Sequence, residues 1–163
     1  MEGRFHLQIK FVDGTTYVTI PQESDPGAPA TVATITDQTG SGGPLLRPFP
    51  DWDWYKGGGC YDIINVYSIK IICNHIFVMD TGKIGTNKIC DPKLLVFDLL
   101  KKNSDALVDS VFFPSEIAAN KTGAGSLVSP VVYIPGQSVS GCSRFNDRIV
   151  SISSFNKTFN SDI

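Results

Sequence analysis

The sequence predicts an all-β fold of antiparallel meanders, and three observations carry that reading. Apolar and polar residues alternate with a period of two from Phe5 to Phe11, as along a half-buried strand. Fifteen glycines and 10 prolines punctuate a chain of 163 residues, which favours short strands over long helices. Residues 60–113 hold four successive strand-like runs joined by short turns.

Composition narrows the function classes. Apolar residues make up 42% of the chain, enough to fill a core, and charged residues only 18%. The net charge of -2 offers no cationic excess to displace counterions from a phosphate backbone, so no nucleic-acid partner is expected. No apolar run approaches the roughly 20 residues of a membrane helix, so no membrane partner is expected either. His6 and His75 are the only histidines, and no metal site is expected.

The elements follow in order. Phe5 to Ile20 reads as a hairpin, with Asp13-Gly14 suited to a type I′ turn and Thr15 to Ile20 returning as a β-branched strand. Pro21, Pro26 and Pro29 interrupt regular structure. Thr31 to Ile35 is a short strand, Gly40 to Pro44 a flexible loop, and Leu45 to Tyr55 an extended run rich in proline and aromatic rings. Ile63–Ile72 is a strand turned by Cys73-Asn74-His75. Ile76 to Met79 is continuously apolar, as in a strand buried on both faces. Thr81 to Pro92 is loop, Leu94 to Leu100 a third strand, Lys101 to Asp105 a polar turn, and Ala106 to Phe113 a fourth strand. These four strands occupy a span close to the roughly 40–50 residues of one β-propeller blade. Ser115 to Ala119 forms one helical turn and Val131 to Ile134 the inner strand of a next unit; Pro135 to Ile163 is left unplaced.

Two segments resemble the insect yellow / major royal jelly protein family. One is Gly42 to Trp54, reading GGPLLRPFPDWDW. The other runs from Cys60 to Leu99, with Val66-Tyr67-Ser68-Ile69-Lys70, Phe77-Val78-Met79-Asp80-Thr81-Gly82 and Cys90-Asp91-Pro92-Lys93 in order. Tyr17 to Pro21 and Gly27 to Thr31 are similar to the family's N-terminal region. The resemblance covers about residues 10–113 and implies a six-bladed propeller. Six blades need roughly 240–300 residues. The chain is therefore expected to be a single incomplete propeller domain: an N-terminal hairpin and extended segment over 5–59, one complete blade over 60–113, and a partial next blade over 114–163. It is expected to be a fragment, a truncated isoform or an incomplete gene product, and poorly soluble alone because an open stack leaves strand edges unpaired.

Four cysteines allow three pairings. In the blade reading Cys60 and Cys90 lie at one end of the strands, and Cys73 and Cys142 at the other. A disulfide needs Cα atoms within about 7 Å, which favours Cys60–Cys90 and Cys73–Cys142; four reduced thiols are the alternative. Asn120 and Asn156 head glycosylation sequons. With the family resemblance these features suggest a secreted protein, although Met1 to His6 shows no basic flank followed by an apolar stretch.

Candidate chemistry is sparse. Gly57-Gly58-Gly59 and Gly82-Lys83-Ile84-Gly85 lack the Lys-Ser/Thr of a phosphate loop, and no G-x-S-x-G elbow occurs. Asp80 and Thr81 are the candidate ligand-binding residues, at a blade edge beside a central opening; the competing reading has Asp80 accepting backbone N–H bonds from its own loop. Trp52, Trp54 and Tyr55 either stack on an aromatic ligand or pin their segment to the blade. Asp51 and Asp53 read as solvated turn residues and His75 as a surface histidine. No catalytic residue is identified and no cofactor is expected. The resemblance implies non-catalytic binding of a small aromatic amine or catechol-type ligand, or a developmental role in pigmentation. The alternative it implies is a dopachrome-converting enzyme of the melanin pathway. The oligomeric state is left open.

Overall fold

The computed structural model describes residues 8–23, 27–101, 106–118, 127–133, 149–154 and 158–162, the last two stretches as backbone. The first sheet is a four-stranded antiparallel meander of β1 (Ile9–Val12), β2 (Thr15–Thr19), β3 (Val32–Gly40) and β4 (Gly43–Pro48), in that spatial order. Asp13 and Gly14 join β1 to β2 at φ 48° and 78°, the left-handed pair that a type I′ turn requires.

One expectation for residues 5–59 is corrected. The flexible loop over Gly40 to Pro44 is a tight hairpin in which Gly40 pairs with Gly43, itself at φ 121°. The extended run from Leu45 begins within β4. Pro44 and Pro48 both lie in β4, an edge strand, where a missing N–H is tolerated. A cis Phe49–Pro50 bond follows, then a 3-10 turn over Trp52–Tyr55. Asp51 caps that turn, its carboxylate accepting from the Asp53 N–H at 2.8 Å.

The second sheet is the expected blade. β5 (Val66–Ile72) turns through Cys73 and Asn74, at φ 52° and 57°, into β6 (His75–Asp80). A small hairpin of β7 (Lys83–Ile84) and β8 (Asn87–Lys88) occupies the expected loop, and β9 (Lys93–Asp98) and β10 (Leu107–Phe112) complete the order β10-β9-β6-β5. All pairs are antiparallel, with Val78 opposite Leu95.

Alternation along β6 and β9 sends their side chains into two cores, which is why β6 reads as a continuous apolar run. Ile76, Val78, Leu95 and Phe97 enter one core with Tyr17 and Val32 of the first sheet. Phe77, Met79, Leu94 and Val96 enter a second core with Phe113, Ala118 and Leu127. None of these eight strand residues is more than 2% exposed. Each such side chain contributes roughly 1.5–3 kcal/mol on burial, so the middle sheet is held from both faces.

After α1 (Ser115–Ala118), a third sheet follows of β11 (Leu127–Tyr133), β12 (Ile149–Ser154) and β13 (Thr158–Asp162). Its last two strands lie in the stretch that sequence left unplaced. The leading edges of the three sheets meet. The Ile69 N–H of β5 donates to Gln8 Oε1, just before β1, at 2.6 Å. The Ser68 and Ser129 hydroxyls of β5 and β11 are 3.2 Å apart. The sheets are thus antiparallel blades of a partial propeller that share an inner rim, and among the described residues they do not close into a ring.

Candidate functional site

The residues offered from sequence as a ligand site form a buried polar knot. Asp80 ends β6 and lies in register with Lys93, the first residue of β9. Both side chains are fully buried, and Lys93 Nζ donates to Asp80 Oδ2 at 2.7 Å. Oδ2 also accepts from the Ile64 N–H at 2.8 Å, and Oδ1 accepts from the N–H groups of Asn65 and Gly82, each at 2.9 Å. Four donors thus occupy the four acceptor positions of one carboxylate. The expected position at a blade edge facing an opening is corrected: β6 is an interior strand, and Asp80 accepts the Gly82 N–H of its own loop, the competing reading.

Asn65, which the sequence analysis did not single out, extends the knot. Its amide donates to the carbonyls of Gln22 at 2.8 Å and Lys83 at 2.7 Å, and its Oδ1 accepts the Gln22 N–H at 2.8 Å. Its own carbonyl accepts from the Thr81 N–H at 2.9 Å and the Thr81 hydroxyl at 3.1 Å. One buried amide therefore ties the segment after β2, the entry to β5 and the β7–β8 hairpin. Gly82 sits at φ 65°, and an added Cβ would lie 2.3 Å from the Cys90 carbonyl oxygen. Only glycine fits that approach.

The aromatic segment is a bridge between the first two sheets. Phe49 stacks edge-on with Tyr17 at 5.4 Å and with Phe97 at 5.5 Å, and Trp54 meets Phe97 at 5.0 Å. The Tyr55 hydroxyl donates to the Phe49 carbonyl at 2.8 Å and accepts from the Val32 N–H at 3.3 Å. Burial pushes this phenol far above the ordinary tyrosine value, against the opposing bond from Val32. Trp54 and Tyr55 thus pin the segment, whereas Trp52 is 49% exposed. Asp53 pairs with Lys56 at the surface.

Tyr67 of β5 donates to Glu23 at 2.8 Å. Burial first, and then that bond, push its phenol up to about 12. His75 is half-buried at the head of β6, with Nδ1 2.7 Å from the Cys73 carbonyl, not a freely solvated surface group.

Cys60 and Cys90 form a disulfide with Cα atoms 5.4 Å apart, the pairing that strand direction favours. Cys73 is also disulfide-bonded; its expected partner, Cys142, lies outside the described residues, as does Asn120. Asn156 lies outside them too. No helix among the described residues is long and apolar enough to cross a membrane.

The profile of the family described as "Major royal jelly protein" matches residues 64–145, half of the chain. The chain belongs to the major royal jelly protein family. Major royal jelly protein 8 of Apis mellifera is 42% identical over 118 residues, covering 71% of this chain and 28% of that protein. Major royal jelly protein 7 of the same organism is 43% identical over 109 residues, covering 66% of this chain and 24% of that protein. The chain thus spans about a quarter of the length of these relatives. The matched region holds Asn65, Asp80, Thr81, Gly82 and Lys93, so the buried knot lies inside the part of the chain that defines its membership.

Proposed function

We propose that this major royal jelly-type chain is secreted and binds a small aromatic amine or catechol-type ligand without catalysis. The observation that supports this reading is the shared inner rim, where Gln8, Ile69, Ser68 and Ser129 bring the leading edges of three sheets together. Groups from several sheets can converge there on a small molecule. The saturated Asp80 carboxylate belongs to the scaffold and offers no acceptor to that ligand. The Cys60–Cys90 disulfide supports an oxidising compartment.

Calorimetric titration with dopamine tests this reading. Saturable binding without loss of dopachrome absorbance supports it. Dopachrome turnover above the spontaneous rate supports the enzymatic alternative instead. A second reading is a developmental or pigmentation role without ligand binding. It predicts no binding by this chain.

A further inference from the structure

The Cys60–Cys90 bridge joins two unlike surroundings. Cys60 and the three glycines before it are exposed, whereas Cys90 is only 4% exposed. Residues 56–62 form a loop whose base is closed where the Ile63 N–H donates to the Trp54 carbonyl at 2.9 Å. Trp54, Tyr55 and Ile63 pack in the first core, which fixes that base. Bonds inside the loop are local. The Asp62 N–H donates to the Gly59 carbonyl at 2.9 Å, and the Gly59 N–H donates to Asp62 Oδ2 at 3.3 Å. Tyr61 meets Phe112 edge-on at 5.7 Å and stays 81% exposed. Cys90 is anchored separately. Its N–H and that of Ile89 both donate to the Gly82 carbonyl at 2.9 Å, beside the buried Asp80–Lys93 pair.

We propose that Cys60 is a thiol-exchange site, at which a small aliphatic thiol opens the bridge and is carried as a mixed disulfide without unfolding the sheets. Disulfides yield to a thiolate at whichever sulfur it can reach, and exposed bridges are the labile ones. Attack runs in line with the S–S bond. A thiolate striking Cys60 Sγ therefore arrives from the side away from Cys90, which is the solvent side. The same approach to Cys90 Sγ runs through the buried side. Attack breaks the S–S bond; Cys90 leaves with the electron pair as a thiolate and takes up a proton, and Cys60 stays bonded to the entering sulfur. A second small thiolate attacks that sulfur and releases Cys60. Two small thiols are thereby oxidised to one small disulfide, and the protein pair gains two electrons. Opening is local because the loop base rests on the first core and Cys90 keeps its bonds to Gly82. The glycine-rich tip swings out while Cys90 stays in place, so the bridge closes again when the thiol is withdrawn.

The test exposes the native 163-residue chain to glutathione without denaturant. The reaction is quenched with acid, the chain is unfolded, free thiols are alkylated with N-ethylmaleimide, and peptides are mapped. The expected product carries glutathione on Cys60 and maleimide on Cys90, with at least 10-fold more adduct at Cys60 than at Cys90. In the treated chain, trypsin should cleave after Lys56 at least 10-fold faster than before treatment. Amides of Ile76 to Met79 and Leu94 to Phe97 should keep their protection. Dialysis against thiol-free buffer should restore both the bridge and the resistance of Lys56. An adduct mainly on Cys90, or no adduct until denaturant is added, overturns the exchange site. Loss of protection in the middle sheet of the treated chain overturns local opening.

Discussion

Asp80 and Lys93 face each other across the β6–β9 register, with Nζ 2.7 Å from Oδ2 and neither side chain reached by solvent. Two unlike charges at the ends of neighbouring apolar strands thus neutralise each other where neither alone would be tolerated. Breaking such a pair is costly because it strands one charge in a dry interior.

The two single substitutions should differ. Asp80→Asn leaves the Lys93 ammonium buried without a counter-charge, and should cost about 3–5 kcal/mol. Lys93→Met leaves a carboxylate that still accepts three backbone N–H bonds, and should cost less. Urea unfolding followed by tryptophan fluorescence gives the order. Equal losses would mean that the backbone donors contribute little.

Glycine substitutions should separate strain from collision. Gly14 stands at φ 78° with open space around an added Cβ, whereas at Gly82 the added atom meets the Cys90 carbonyl. Gly14→Ala should cost about 1–2 kcal/mol, the penalty of left-handed backbone alone. Gly82→Ala should exceed it, because the hairpin base must also move. Thermal melts of the two variants read the difference.

The tyrosines set an alkaline limit. The Tyr67 phenol titrates at about 12 in the fold, and Tyr55 is raised as well, mainly by burial. Unfolded tyrosine titrates near 10. Between these values the native chain retains protons that the unfolded chain has released. Stability is therefore unaffected below pH 10 and falls as pH rises toward 12. Denaturant unfolding between pH 9 and 12 should show this, and Tyr55→Phe should flatten the decline.

The Cys60–Cys90 bridge closes a sequence separation of 30 residues. On loop entropy it contributes roughly 3–4 kcal/mol. Cys60→Ser with Cys90→Ser should lower the urea midpoint accordingly, and peptide mapping without reductant should recover the Cys60–Cys90 pair. A Cys73–Cys90 peptide would refute the blade geometry.

Much of this fold is local and was legible. Asp13-Gly14 specifies its own turn, and the apolar run of β6 shows burial on both faces. The Cys60–Cys90 pairing followed from strand direction within the blade reading and the Cα separation that a disulfide allows. The knot was less legible because it depends on register. Lys93 heads an apolar run, and nothing local pairs it with Asp80, 13 residues away. Asn65 makes its bonds to Gln22 and Lys83, neither of which it adjoins in sequence. The hairpin at Gly40 to Gly43 was hidden for another reason: glycine permits both a floppy loop and a tight turn, and only pairing with β3 selects the turn.

Site-resolved amide hydrogen exchange tests the central claim, that β6 and β9 form a middle layer packed between two sheets. Amides of Ile76 to Met79 and Leu94 to Phe97 should be the slowest in the chain, exchanging only with global unfolding, while those of β10 exchange sooner. Exchange at β6 and β9 as fast as at β10 would contradict the sandwiched layer and the blade built on it.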